Sequence, residues 1–300
     1  MKAIKKTVMI LAISFAAGNA AAQSNEASFG REEYITVEKN VKLHVTDLGE
    51  GKPVVLIHGW PLSDAMYEYQ YQFLLEKGYR VIGITLRGFG KSDKPYGTYN
   101  YDVYAHDINV VLDKLDIKDA TLGGFSMGGA ISIHYVATYN SARVSKLALF
   151  GAAAPVWTKR EDYNYGFTEE AVNELIALSK VNRPQLLENF GKIFGASETA
   201  LPAGIANWLG GINIEASPYA TTQSLIALRD TDLRGELSKI NIPTAIFHGV
   251  KDLICEYALA EQIHQGIKNS YIVKFENSGH GLFFEELEKF NTELLAFLKK

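Results

Sequence analysis

Gly124-Phe125-Ser126-Met127-Gly128-Gly129 is the stretch on which the reading of this chain turns. A strand-like run at 119–124 leads into it, and a helix-like run at 130–140 follows. A serine with glycines two residues before and two after, at a strand-to-helix turn, has the pattern of a nucleophile elbow. The spacing has a steric cause. The turn is so tight that side chains on its flanks would strike the neighbouring strand and helix. Glycine removes the clash and permits backbone angles that other residues avoid. The serine oxygen is then held above a sheet, at a helix N-terminus whose amides favour developing negative charge. Ordinary Gly-rich loops also contain such pentapeptides, so the surroundings decide.

Working outward, Pro53-Val54-Val55-Leu56-Ile57 is continuously apolar, as a strand buried on both faces should be. Further strands are expected at 80–85, 144–150, 243–247 and 271–275, and helices at 65–77, 101–115, 256–266 and 282–298. Upstream, Tyr34-Ile35-Thr36-Val37 and Val41-Lys42-Leu43-His44-Val45 alternate like two hairpin strands around Lys39-Asn40. A hairpin feeding repeated strand–helix units implies an α/β fold, a mostly parallel sheet with helices on both faces. From 154 to 238 the rhythm changes to helices and loops without a strand. The expected organisation is a core built from 23–153 and 239–300, with 154–238 inserted as a helical cap. The cap would cover the C-terminal edge of the sheet, where open α/β sheets bind ligands.

A serine hydroxyl is a weak nucleophile at neutral pH. It needs a base for its proton, and the base needs an orienting carboxylate. On such a fold the expected chain order is Ser, acid, His. Ser126 is followed by Asp252, just after the strand at 243–247, and by His280 in Asn277-Ser278-Gly279-His280-Gly281, after the last strand. Both positions fall at C-terminal strand ends, on the edge that holds the elbow. His106, His134 and His264 lie in helical runs, His44 in the hairpin, and His58 and His248 end strands, where structural duty is expected. The rival acids Asp93, Asp102 and Asp107 precede the serine. Acyl transfer also needs donors for the oxyanion. Met127 supplies one backbone amide. The other is expected from Trp60 in His58-Gly59-Trp60-Pro61, since Pro61 has no N–H.

Composition sets the bounds. The chain has 300 residues, 47% hydrophobic and 21% charged, enough for one large domain with an insertion. A basic start (Lys2, Lys5, Lys6), an apolar stretch at 7–17 and Ala20-Ala21-Ala22 read as a signal peptide over 1–22, with cleavage after Ala22. Export, to the periplasm, is therefore expected. The apolar stretch is too short to span a bilayer, and no cysteine follows it for a lipid anchor. Removing 1–22 takes away three of the 30 basic residues and leaves 27 against 34 acidic, a formal charge of −7. That disfavours nucleic acid and anionic membrane surfaces as partners. Cys255 is the single cysteine, so no internal disulfide forms, and a small packed residue is the favoured reading over a catalytic thiol. Gly90-Lys91-Ser92 fails as a phosphate loop because Thr85 stands where its first glycine belongs. No histidine pair has metal-ligand spacing, so neither metal nor cofactor is expected. A homo-oligomer is compatible with the sequence.

Four stretches together resemble the α/β-hydrolase superfamily: His58-Gly59-Trp60-Pro61-Leu62-Ser63, Arg87-Gly88-Phe89-Gly90-Lys91-Ser92-Asp93, Gly124 to Gly129, and His248-Gly249-Val250-Lys251-Asp252. Within it the chain is most similar to the cofactor-free bacterial chloroperoxidase and aryl-esterase (perhydrolase) group. The resemblance implies hydrolysis of small esters through an acyl-serine. Pro61 is the version of the loop associated with perhydrolysis, in which peroxide replaces water and the released peracid oxidises halide. Thr85 departs from the Asp common two residues before the motif's Arg, which puts a local salt link in doubt. Epoxide hydrolases and haloalkane dehalogenases resemble the chain less, because their nucleophile is Asp. The same triad on lactones, amides or C–C bonds is an alternative. A non-catalytic ligand-binding member of the fold is an alternative of another class, and a structural surface protein is a third that nothing in the sequence favours.

Overall fold

The computed structural model describes residues 31–139 and 143–300. The expected leader at 1–22 lies outside them, and among the described residues no helix is long and apolar enough to cross a membrane. The strands are β1 (Arg31–Glu38), β2 (Val41–Leu48), β3 (Pro53–Ile57), β4 (Arg80–Ile84), β5 (Ala120–Phe125), β6 (Val144–Phe150), β7 (Thr244–Gly249) and β8 (Ser270–Phe275). They form one eight-stranded sheet in the order β1-β2-β4-β3-β5-β6-β7-β8. β1 and β2 make the antiparallel hairpin, and β2 runs antiparallel to β4. All the other pairings are parallel. Asn40 turns the hairpin with φ 64°, a conformation that Asn adopts more readily than most residues.

The pleat sorts the core. Val55 and Ile57 of β3 pack into one cluster with Ile108, Ile131 and Leu259, which come from the helices Tyr101–Lys114, Met127–Tyr139 and Tyr257–Gly266. Val54 and Leu56 pack into the other with Leu74 and Phe290, from the helices Glu68–Glu76 and Leu287–Lys299. Helices cover both faces, which is why the central strands need no polar side. Each fully buried Val, Leu or Ile contributes about 1.5–3 kcal/mol relative to exposure.

Between β6 and β7 the chain leaves the sheet. It forms the helices Glu169–Val181, Arg183–Lys192, Ala203–Ile214, Pro218–Asp230 and Arg234–Leu237. Only isolated bridges interrupt this stretch, Val156 with Asp232 among them. Local signals start several of the helices. The side chains of Thr168, Asn182 and Ser217 accept the N–H groups of Ala171, Gln185 and Ala220, and proline stands in the first turn of the second and fourth helices.

Three helices depart from the sequence expectation by more than a shift of one or two residues at an end. The helix after the elbow begins at Met127 rather than 130, because the turn is completed within Ser126 itself. The helix expected at 65–77 opens as a 3₁₀ turn, Asp64–Tyr67. The helix expected at 282–298 is split into Leu282–Glu285 and Leu287–Lys299 at Glu286 (φ −123°, ψ 53°). The Glu286 carboxylate turns back from the break to accept the Asn277 N–H at 3.1 Å and the Ser278 hydroxyl at 2.7 Å.

Candidate active site

Ser126 has φ 53°, in the left-handed region that costs a residue with a Cβ about 1–3 kcal/mol. Its own backbone holds it there. The Ser126 N–H donates to Phe150 O (2.9 Å), and its carbonyl accepts from Gly129 N (2.9 Å) and Ala153 N (3.0 Å). The flanking glycines have separate reasons. A Cβ on Gly124 would meet the Gly128 carbonyl and, at 2.5 Å, Ser132 Oγ. A Cβ on Gly128 would meet the main-chain carbonyls of Ile57 and His58, at the end of β3.

Asp252 follows β7 and His280 follows β8. His280 Nδ1 donates to Asp252 Oδ2 at 2.7 Å. The other carboxylate oxygen accepts the N–H groups of Ile254 and Cys255, both at 2.8 Å, which fixes the carboxylate plane. The imidazole packs with Phe125 and Phe194 in a three-ring cluster, with ring centroids 4.6 and 5.6 Å away. Gly151 (φ 49°) closes the back of the pair, since a Cβ there would come within 3.3 Å of His280 Nδ1. Ser126 and His280 line the same cavity of about 600 Å³. Among the described residues no hydrogen bond joins the Ser126 hydroxyl to the His280 ring.

Trp60 and Met127 are both buried. Among the described residues neither of their backbone N–H groups donates to another protein group, although buried N–H groups are ordinarily paired. The Trp60 indole donates to Thr221 O at 3.0 Å, tying this loop to the helix Pro218–Asp230. The Trp60–Pro61 peptide is cis.

His58, His248 and the rival acids have structural partners. Buried His58 donates from Nδ1 to Gly59 O (2.8 Å) and accepts at Nε2 from Leu86 N (3.0 Å). Burial pushes its pKa down to about 4, so it is neutral and braces the loop that carries Trp60. His248 Nε2 donates to Cys255 O at 2.6 Å. Asp107 forms a two-pronged ion pair with Arg87, at 2.6 and 2.7 Å, and Glu38 adds a third contact to the same guanidinium at 2.9 Å. The Thr85 hydroxyl donates to Asp64, which also accepts from Thr46 (2.6 Å) and Tyr71 (3.0 Å). Asp93 accepts the Lys42 N–H at 2.8 Å. Cys255 is fully buried, and burial pushes its thiol well above the usual range, which suits packing rather than nucleophilic chemistry.

The cavity lies between the strand ends and the helices that follow β6. Trp60, Pro61 and Leu62 form its floor beside Ser126, and Trp157, Leu187, Phe190, Phe194, Leu209 and Leu228 form apolar walls. Glu188, Lys192, Asn207 and Asn213 give it a polar part. Sequence reasoning had no signal for the walls, which come from four separate segments. Among the described residues no group of three or more His, Cys, Asp or Glu could hold a metal ion.

Residues 52–287 match the alpha/beta hydrolase fold family. An AB hydrolase superfamily protein of Bacillus subtilis is 46% identical over 88% of this chain and 98% of its own length. Among solved structures, an esterase from Exiguobacterium antarcticum is 46% identical with a TM-score of 0.88, covering 90% of this chain and all of that one. A bromoperoxidase from Bacillus anthracis is 35% identical with a TM-score of 0.87, over 90% of this chain and all of that one. With these likenesses spanning its sheet, its elbow and its strand-end loops, this chain belongs to the α/β-hydrolase fold family, as an enzyme similar to the esterases and haloperoxidases within it.

Proposed function

We propose that this enzyme hydrolyses small carboxylic esters through an acyl-serine. Ser126 attacks the ester carbonyl, and His280 takes the hydroxyl proton at Nε2. The tetrahedral oxyanion is received by the N–H groups of Trp60 and Met127. His280 then protonates the departing alcohol, leaving an acyl-Ser126 that water hydrolyses by the same route in reverse. Asp252 holds the imidazole in the tautomer that leaves Nε2 open and stabilises its charged form. The helices that follow β6 act as the cap, and their apolar walls receive the acyl or alkyl chain. The observation that supports this reading best is that His280, bonded to Asp252, lines one cavity with a left-handed serine. Ser126→Ala tests it, because the variant should fold and lose turnover of p-nitrophenyl acetate. Retained wild-type activity would refute the mechanism.

A second activity is favoured by Pro61, which lines the cavity beside Ser126. In that reading hydrogen peroxide replaces water on the acyl-serine, so that a peracid leaves with the acyl group and Ser126 recovers its proton. The peracid then oxidises bromide in solution. Bromination of monochlorodimedone that requires both acetate and peroxide, and stops in Ser126→Ala, would support it. We propose export as well, on the leader-like residues 1–22. Recovery of the protein from a periplasmic extract with Gln23 at its N-terminus would support that, and a cytoplasmic chain retaining residues 1–22 would refute it.

A further inference from the structure

We propose that Glu285 is a positioning residue that fastens the His280 loop to the helices over the cavity, so that the base is aligned only when those helices are seated. This inference rests on the role given to His280 above. Glu285 ends the short helix Leu282–Glu285, and its half-buried carboxylate is turned toward two pieces of backbone. Oε2 accepts the N–H of Gly279, the residue before His280, at 2.8 Å. Oε1 accepts the N–H of Ala196, 89 residues away in the segment after the helix Arg183–Lys192, at 2.7 Å. One carboxylate therefore joins the loop that bears the base to the segment that roofs the cavity. Hydrogen bonds from two backbone amides to an ionised acceptor are stronger than neutral ones.

The same two segments meet at three further points. The Gly281 N–H donates to Phe194 O at 2.9 Å. A Cβ on Gly279 would run into Gly195 and Ala196 backbone, at 2.6 Å from Ala196 N. A Cβ on Gly281 would lie 2.8 Å from the Phe194 ring. The glycines on either side of His280 thus let the overlying segment lie flat against the loop. Phe194, pinned by its carbonyl, then packs its ring edge-on against the imidazole. Asp252 sets the tilt of His280 from below, and the Phe194–Ala196 segment, held through Glu285, sets it from above. A shift of that segment moves the imidazole. Misplacement of a catalytic group by about 1 Å is enough to cost about 100-fold in rate.

The test uses the full chain with Glu285→Ala, Glu285→Gln and Glu285→Asp, assayed on p-nitrophenyl acetate and p-nitrophenyl octanoate beside Ser126→Ala. The two-carbon acetyl group tests the chemistry with little contact to the walls, whereas the eight-carbon octanoyl chain must also be received by them. The expected result for Glu285→Ala is a kcat lowered by about 10- to 100-fold on both substrates, with KM for acetate within about twofold. Glu285→Gln keeps one acceptor and should recover part of the loss, and Glu285→Asp, one methylene too short to reach both amides, should not. A role in the acyl pocket alone would raise KM for octanoate and leave acetate untouched, which would overturn the proposal. A role in stability alone would lower the melting temperature and leave kcat per folded molecule unchanged, which would also overturn it. Should Glu285→Ala fail to fold, the near-isosteric Glu285→Gln decides by the same criteria. Activity surviving in Ser126→Ala would remove the reading beneath the proposal. An inert Ser126→Ala beside fully active Glu285 variants would remove the proposal alone.

Discussion

His280 and His134 are each held by carboxylates, but in two regions that leave the ring in different states. His134 lies in the helical layer, on Met127–Tyr139, with both nitrogens engaged: Nδ1 is 3.0 Å from Glu236 and Nε2 is 3.0 Å from Asp102. The hydrogen bond to Glu236 is the main cause that raises its pKa above the ordinary value. That histidine joins three helices and has no lone pair to offer. His280 has one nitrogen fixed by Asp252, and among the described residues the other has no protein partner. His58 repeats the lesson in a neutral form, with both nitrogens used by backbone groups. A base needs one nitrogen held and one open, whereas a brace needs both held.

The comparison can be broken most sharply at His280. Replacing His280 or Ser126 by Ala should lower kcat on p-nitrophenyl acetate by about 10⁶-fold, as for other serine triads, with the melting temperature within a few degrees of wild type. Asp252→Asn should cost about 10⁴-fold, because an amide favours the wrong imidazole tautomer. Its kcat, measured beside that of His280→Ala, should be the higher of the two. At the brace His58 the loss should appear in stability instead. His58→Ala strands the Leu86 N–H and opens a void, and should cost about 2–4 kcal/mol in urea unfolding. An unchanged unfolding midpoint would sink the bracing role.

The smallest effect is expected at His134. His134→Ala should leave kcat within about twofold and remove about 1 kcal/mol or less of stability. The loss should depend on pH. Because the folded pKa of His134 is raised above its unfolded value, its contribution is fully present below the unfolded pKa of about 6.5 and disappears as pH rises through the folded value. The stability gap between wild type and His134→Ala should therefore be widest near pH 5.5 and should close toward pH 9. A gap that widens with pH would show that the two carboxylates do not hold a charged imidazole.

These pairs were legible in the sequence to different degrees. Pro53 to Ile57 reads correctly as a strand because burial on both faces leaves an unbroken apolar run, and Val144 to Phe150 carries such a run only in its second half, from Leu147 on. Ser126, Asp252 and His280 could be placed on one edge of the sheet because the fold fixes the order of its strand-end loops, and the structure brings Asp252 and His280 to 2.7 Å of each other. The break at Glu286 could not be found, since the run from Leu282 to Leu298 keeps a helical period through it. Its cause is a carboxylate reaching back nine residues to Asn277. Glu285 was invisible for a similar reason, because its partners are backbone amides and amides leave no trace in the choice of residue. Thr85 registered only as a gap in a motif. The carboxylate that meets its hydroxyl, Asp64, comes from a different segment of the chain.

Gly128 has a consequence for anyone wishing to redesign this enzyme. Because main chain meets main chain where the turn of Ser126 abuts the end of β3, the serine and the Trp60 amide that the proposed mechanism pairs share one stiff joint with no exchangeable part between them. Reactivity at that joint is inherited whole, and directed evolution will find its freedom in the walls above it.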